Sequence, residues 1–202
     1  MGLRKLLFVI LIFSPFSVLH ASEIDALMTD CNGCHGDRGV SRWSDVPTIA
    51  GIAEFVHVDA LFVFADGDRA CADTEYRQGD ANRPATNMCE IASALSEEQI
   101  EAVAAAYAAL PYVKATQAFD EELAAAGEAI HQQHCDRCHA NGGTDPEDEA
   151  GMLGGQWMDY LRSTFAEYAS GEREQLPKMK EKMDLLSEAD VEALIHYYGS
   201  QQ

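Results

Sequence analysis

Basic residues are scarce in this sequence. Its 202 residues include 14 lysines and arginines against 34 aspartates and glutamates, which gives a formal net charge of −20. Nucleic acids and anionic membrane surfaces are polyanions, so this charge argues against both as partners and favours a basic partner. Because 47% of the residues are hydrophobic, the chain can bury a core and is not a disordered acidic tail.

Long apolar runs are absent beyond the N-terminus. In residues 1–21, Arg4 and Lys5 precede an apolar stretch that Pro15 interrupts, and Ala21 is a small residue suited to cleavage. This pattern is typical of a secretory signal peptide, and the stretch is short against the roughly 20 apolar residues of a membrane span. We therefore expect a periplasmic protein without a membrane span after cleavage, where disulfides persist. An uncleaved N-terminal anchor is the less favoured alternative.

The sequence also lacks the common catalytic signatures. It has no convincing Ser-His-Asp set, no phosphate-binding loop and no G-x-G-x-x-G motif. No segment shows the alternation of a β-strand. These absences predict an all-α protein that is not catalytic on its own.

Four of the six cysteines form two copies of a C-x-x-C-H motif. This motif is the attachment signature of c-type haem: two thiols form thioethers with the haem vinyl groups, and the adjacent histidine is the proximal ligand of the iron. A thioredoxin-like site, a zinc ribbon and short-loop disulfides are less favoured, because the chain is exported, lacks strands and repeats the histidine. We predict two covalently bound haem c groups. Their anchors and proximal ligands are Cys31, Cys34, His35, Cys135, Cys138 and His139.

The two motifs are 104 residues apart, and the same offset aligns other stretches. Phe64–Arg69 falls on Tyr168–Arg173 at this offset. Later in the chain the offset becomes 91, where Leu95–Ala102 falls on Leu186–Ala193. Two matching registers indicate a duplicated domain.

The change of register places an insertion in the first half. The offset falls from 104 to 91, so the first half carries 13 extra residues between Arg69 and Met88. We predict a first cytochrome c domain at residues 22–112 and a second at residues 113–202.

Helical periodicity and capping residues predict the same helices in both halves. Ser96 with Gln99 resembles a capping box, and Ser187 can cap the last helix. The predicted helices run from about Ser22 to Cys31, Glu54 to Ala65, Ser96 to Leu110, Asp120 to Cys135, Gln156 to Ala169 and Ser187 to Tyr198.

The repeat also selects candidates for the distal haem ligands. A haem in an electron carrier usually has a sixth ligand, and methionine raises its potential relative to histidine. Met88 falls on Met179 at the offset of 91, whereas Met183 falls on Ala92 and has no methionine counterpart. We predict Met88 and Met179 as distal ligands of the first and second iron. Met183 and the other methionines are expected to be packing residues.

Two cysteines and four histidines remain. Cys71 lies in the inserted region and Cys89 follows Met88, and in an oxidising compartment a disulfide between them is the expected state. Binding of a soft metal such as copper, or ligation of the first haem by Cys89, stays open as an alternative. His57, His131, His134 and His196 have no assigned role. His131 and His134 are three residues apart and share a helix face. They are expected to be partly exposed polar residues, and contact with a haem propionate or a metal is the less favoured alternative.

The chain resembles the tandem dihaem cytochromes c and is more closely similar to the cytochrome subunit of flavocytochrome c sulfide dehydrogenase. The resemblance lies in the two attachment motifs, in Leu153–Trp157, in Met179–Met183 and in the ending Tyr197–Gln202. It implies two tandem class I cytochrome c domains. It also implies an FAD-bearing, sulfide-oxidising flavoprotein as partner, with the FAD on that partner alone, and a small soluble acceptor such as a monohaem cytochrome c. The resemblance is weak over residues 71–86.

Three functions compete at this point. The favoured one is an electron-transfer subunit that carries electrons from the flavoprotein to the acceptor. The second is a free dihaem shuttle that feeds a terminal oxidase. The third is a catalytic dihaem enzyme of sulfur metabolism with a cysteine-ligated haem, and a disulfide between Cys71 and Cys89 counts against it.

Overall fold

In the computed structural model, the described part of the chain comprises residues 16–146, 148 and 150–202, with side chains from residue 21 onward. The predicted signal peptide lies mostly outside these residues. The helices of the described residues are α1 (Phe16–His35), α2 (Glu54–Ala65), α3 (Met88–Ser93), α4 (Glu97–Ala108), α5 (Glu121–His134), α6 (Ala140–Gly143), α7 (Met158–Ser170), α8 (Pro177–Met183) and α9 (Glu188–Ser200), with a 3-10 turn at Asp37–Gly39.

The all-α prediction is confirmed. Within residues 16–146, 148 and 150–202, extended pairing is limited to two isolated bridges, Arg69 with Arg173 and Thr74 with Thr86. No described helix is long and apolar enough to cross a membrane.

Local sequence signals explain where the closing helices begin. At α4, the Ser96 side chain accepts the Gln99 amide while Gln99 reaches back to the Ser96 amide, which is the predicted capping box. Ser187 and Asp190 form the same reciprocal pair at α9. Each box pairs two amides that a helix start otherwise leaves without a partner.

Three short helices, and the extension of α1 through the first motif, were not predicted from the sequence. The helices α3, α6 and α8 have four to seven residues, which is too short for a helical period to appear. The helix α1 continues past Cys31 to His35 and so includes the whole first motif.

The two halves repeat their loop anchors as well as their helices. The Gly39 carbonyl accepts the amides of residues 49 and 50, and the Gly143 carbonyl accepts those of residues 153 and 154. The next glycine of each loop, Gly51 or Gly155, donates at 2.9 Å to the carbonyl of Tyr107 or Tyr198 on the closing helix. The loop after each attachment motif is therefore fastened to its closing helix in the same way.

The halves are joined by a buried polar contact. The Thr48 amide donates to Gln156 Oε1 at 3.0 Å, and Gln156 Nε2 donates to the Thr48 carbonyl at 2.7 Å. Both residues are 1% exposed. Beside them, Trp157 Nε1 donates to the Ser41 carbonyl at 3.0 Å. The start of α7 thus rests on the loop after the first motif.

Candidate haem sites

The first attachment motif lies at the C-terminal end of α1. His35 Nδ1 is 3.1 Å from the Pro47 carbonyl oxygen, which comes from the loop that follows the motif. Burial lowers the pKa of His35, and the Pro47 carbonyl opposes this shift. The ring is therefore neutral, which is the form of imidazole that binds a metal. The contact at Nδ1 leaves Nε2 for the metal and fixes the ring orientation.

The second attachment motif follows α5, in a turn rather than in the helix. Gly151 is the repeat counterpart of Pro47, 104 residues later. Burial lowers the pKa of His139, and the Gly151 carbonyl opposes the shift. His139 Nδ1 is nevertheless a buried atom without a hydrogen-bond partner in the described part of the chain. Both proximal-ligand candidates thus have a pKa lowered by burial, but among the described residues only His35 has a ring nitrogen within hydrogen-bond distance of the loop carbonyl.

The four motif cysteines carry free thiols. Burial raises the pKa of Cys31 to about 11 and also raises the pKa values of Cys34 and Cys135. Thiols of this kind stay protonated at neutral pH, whereas a thioredoxin-like site needs a thiol of lowered pKa. The raised pKa values of Cys31, Cys34 and Cys135 therefore do not favour a thioredoxin-like site.

The surroundings of the first motif fit a large apolar group. The helix α2 reads EFVHVDALFVFA, yet none of its residues is buried. Phe55 is 59% exposed and Phe62 37% exposed. Two thiols and a neutral imidazole, near an apolar helix that α3 and α4 cover only in part, are compatible with a covalent haem.

The two predicted distal ligands lie on the short helices. Met88 is the first residue of α3 and Met179 lies in α8, and both are half-buried. Met183 packs against the core of the second half, with Leu161, Leu194 and Tyr198. Its position agrees with a packing role. Ligation by Met88 and Met179 stays a prediction.

Cys71 and Cys89 form a disulfide, with their Cα atoms 5.9 Å apart and a sequence separation of 18. The expected state is therefore the observed one. Neither sulfur is a thiolate for copper or for iron in this structure. The part of the chain that the structure describes also holds no group of three or more His, Cys, Asp or Glu side chains suited to a metal ion.

Comparison with known proteins identifies the fold of this chain. Residues 122–197 match the protein-family model described as cytochrome c oxidase, cbb3-type, subunit III. A reduced recombinant cytochrome c4 from Pseudomonas stutzeri is similar, with 24% identity, a TM-score of 0.70 and coverage of 89% of this chain and 97% of that one. Cytochrome c4 from Acidithiobacillus ferrooxidans has 22% identity, a TM-score of 0.69 and coverage of 85% and 99%. The fold is that of cytochrome c4. The predicted pair of class I cytochrome c domains is thereby confirmed.

A third solved structure extends the comparison. Thiosulfate dehydrogenase TsdBA from Marichromatium purpuratum has 24% identity and a TM-score of 0.67, and the match covers 84% of this chain and 36% of that one. No curated protein matches the sequence.

The expectation of a partly exposed His131 is wrong. Within the cytochrome c4-like fold this residue of α5 is 1% exposed. Its Nδ1 lies 3.1 Å from the Tyr198 hydroxyl and its Nε2 lies 3.5 Å from Asp136. Burial lowers the pKa of His131, and Asp136 opposes the shift. In the first domain, Tyr107 instead donates directly to Asn32, the counterpart of Asp136.

The remaining histidines differ in burial. The Nε2 atom of His57 is buried without a hydrogen-bond partner among the described residues. Burial lowers the pKa of His57 to about 4. His196 is half-buried, accepts the Asp120 amide at 2.8 Å and lies 3.2 Å from Glu192. His134 is half-buried, as expected.

The inserted segment contacts the first attachment motif, which sequence reasoning missed. The amides of Arg77 and Gln78 donate to the Gly33 carbonyl at 2.9 and 3.1 Å. The only signal in the sequence was the 13-residue difference in register, and it located the segment without showing what the segment contacts.

Proposed function

We propose that this chain is a periplasmic electron carrier with two covalently bound haem c groups, one in each of the domains at residues 22–112 and 113–202. The observation that carries the proposal is the equivalence of the two motifs. Each has two free thiols and a histidine whose pKa is lowered by burial. A chance pair of cysteine clusters has no reason to repeat this third group.

Each of the eight candidate site residues has one proposed role. Cys31 and Cys34 anchor the first haem and Cys135 and Cys138 the second. His35 and His139 are the proximal ligands, and Met88 and Met179 are the distal ones. When bound, each haem supplies an iron that gains and loses one electron. The chain binds, orients and partly shields this group, and it makes or breaks no substrate bond.

The proposed partner is a sulfide-oxidising flavoprotein that carries FAD, with a small soluble cytochrome as the acceptor. Support comes from the sequence resemblance, which covers most of the mature chain but is weak over residues 71–86. The TsdBA structure is a dehydrogenase that includes a region similar to this chain, which is consistent with a role beside a dehydrogenase. The two cytochrome c4 structures keep the free shuttle to a terminal oxidase as the alternative.

The flavin-to-haem ratio across a sizing column tests the proposal on protein isolated from its native host. Flavin that elutes with the chain at one per two haems, together with haem reduction on addition of sulfide, is the expected result. Two haems per chain without flavin would replace the subunit with the free shuttle. A chain that holds no covalent haem, while its Cys31→Ser/Cys135→Ser control behaves identically, would overturn both.

A further inference from the structure

The two attachment motifs differ in what covers them. In the first domain, residues 74–83, here called the cover segment, lie against the motif. Beyond the two amides on the Gly33 carbonyl, Gln78 Nε2 donates to the Asn32 carbonyl at 2.7 Å. Thr74 pairs with Thr86 through two backbone hydrogen bonds, which closes the base of the segment.

Side chains fasten the cover segment to the domain. Arg83 donates to Asp30 at 2.7 Å and to the Tyr76 hydroxyl at 2.8 Å. The same guanidinium lies 3.9 Å from the centre of the Tyr76 ring. Arg77 binds both carboxylate oxygens of Asp45. The segment is therefore held from both sides of the motif.

Glycine at position 33 makes room for this cover. A Cβ atom added to Gly33 would lie 2.7 Å from Cδ1 of Tyr76, which is closer than packed carbon atoms approach. The residue 104 positions later is Arg137, and it is exposed. The covered motif thus has a glycine at this position, whereas the uncovered motif has an arginine.

The second cysteine of each motif differs in exposure, as the presence or absence of the cover segment predicts. Cys34 is 7% exposed, whereas its counterpart Cys138 is exposed. A cysteine thioether is made at the edge of the haem ring, so the burial of the sulfur reports whether that edge is accessible. The second domain lacks the 13 inserted residues, and its motif is open.

Cations lie at and near the open motif, among acidic side chains. Lys182 acts on Cys135 by lowering its pKa, although burial raises that pKa more. Lys182 lies on α8 with Lys178 and Lys180, and all three are exposed, but Lys180 pairs with Asp184 at 2.6 Å. Leu185 follows and is 63% exposed. Arg137 and Lys182 form no ion pair with a described residue. Asp136 and Glu181 adjoin Arg137 and Lys182 in the sequence, so the positive excess of this surface is small, although the chain as a whole carries −20.

We propose that the cover segment closes the first attachment motif to protein partners, so that a redox protein with carboxylates at its contact surface exchanges electrons at the second motif, around Arg137, Cys138 and Lys182. This inference rests on the proposed haem function. Each encounter moves one electron, so the partner is oxidised by one electron while this chain is reduced by one, or the reverse. Complementary charges at such a contact raise the rate of encounter.

The first test measures accessibility in the reduced haem-loaded protein. A soluble gadolinium chelate broadens the NMR signals of exposed amides, and we expect strong broadening at Arg137 and Cys138 but little at Gly33 and Cys34. Gly33→Arg, which copies the second motif, should raise the broadening at Cys34 to the level of Cys138. Equal broadening at both motifs in the wild type would overturn the cover.

A matched pair of variants separates the cover from misfolding. Tyr76→Ala removes the ring that Gly33 faces, so Gly33→Ala should disturb the wild type and have little effect in the Tyr76→Ala background. Haem absorbance per chain confirms that every variant is loaded. A Gly33→Ala effect that is equally large in both backgrounds would overturn the contact as the cause.

The second test locates the exchange site with an acidic plant-type [2Fe–2S] ferredoxin as electron donor, in stopped flow. Arg137→Glu/Lys182→Glu should lower the bimolecular rate by about tenfold at low salt. Arg38→Glu, an exposed charge reversal in the first domain, should change it by less than about twofold. Equal losses in both variants would overturn the assignment to the second motif. An absence of haem in all variants would instead be a failure of the proposed function.

Discussion

Arg69 and Arg173 occupy the same position in the two repeats and pair with each other as an antiparallel bridge. Each guanidinium lies over the aromatic ring five residues before it, Arg69 at 4.7 Å from the centre of Phe64 and Arg173 at 4.5 Å from that of Tyr168. A residue that meets its own counterpart lies on a pseudo-two-fold axis, as at the interface of a symmetric dimer. This bridge is therefore a point at which equivalent residues of the two repeats meet.

We expect Arg69 to contribute more than Arg173 to the stability of this interface. Arg69 is 9% exposed and its Nε donates to Glu167 at 2.8 Å. Arg69→Ala leaves a carboxylate largely buried without its partner, so we expect a loss of about 3 kcal/mol in the free energy of unfolding. Urea unfolding measures the loss. Arg162→Ala, which breaks an exposed pair with Glu192, is the control and should cost less than about 1 kcal/mol. Equal costs would contradict a special role for Arg69.

The two methionines of α8 should respond differently to truncation. Met179→Ala should remove about half of the charge-transfer absorbance of the oxidised protein that reports methionine on ferric haem, because Met88 would still supply the other half. Met183→Ala should keep that absorbance and lower the stability by about 2 kcal/mol, since Met183 packs on the core. The reverse pattern would exchange the roles of the two residues.

The disulfide should affect stability but leave ligation unchanged. Cys71→Ser/Cys89→Ser releases a link between positions 18 residues apart, and the expected cost is about 3 kcal/mol. Thermal unfolding with and without a thiol reductant measures it, and the reductant should have no effect on the double variant. Haem absorbance should be the same in both proteins. If the double variant keeps its stability but its haem absorbance changes, Cys89 would again be a candidate axial ligand.

Asp45 makes the attachment of the cover segment dependent on pH. The hydrogen bonds from Arg77 hold the pKa of Asp45 below its ordinary value of 3.8. A carboxyl group with a lowered pKa stabilises the fold above its ordinary pKa, and this stabilisation is lost as the pH falls through the folded value. Because the pair is largely exposed, the contribution is about 0.5 kcal/mol.

An NMR titration of the Asp45 carboxyl group checks this pair. Arg77→Gln should bring its pKa back towards 3.8 and increase hydrogen exchange at the amides of residues 77 and 78. Arg42→Gln, a neighbouring substitution outside the pair, should leave the pKa in place. An unchanged pKa in Arg77→Gln would mean that the pair does not form in solution.

Features encoded over a few residues could be predicted. The capping boxes at Ser96 and Ser187 form as the sequence indicates, since the partners are three residues apart. The disulfide followed from the count of cysteines and the compartment. His131 was predicted wrongly because its burial depends on Tyr198, 67 residues away, and helical periodicity shows which residues share a face but not what packs against it.

The sequence by itself determined the covalent and local features of this protein. The spacing within C-x-x-C-H sets which atoms can anchor a haem, and the two offsets establish the duplication, because both depend only on positions along the chain. The tertiary structure alone decided that the halves meet at Arg69 and Arg173 and that Cys34 is covered while Cys138 is exposed. Burial is a property of groups brought together from distant parts of the chain. Two motifs with the same C-x-x-C-H pattern can therefore differ in their accessibility to a partner protein.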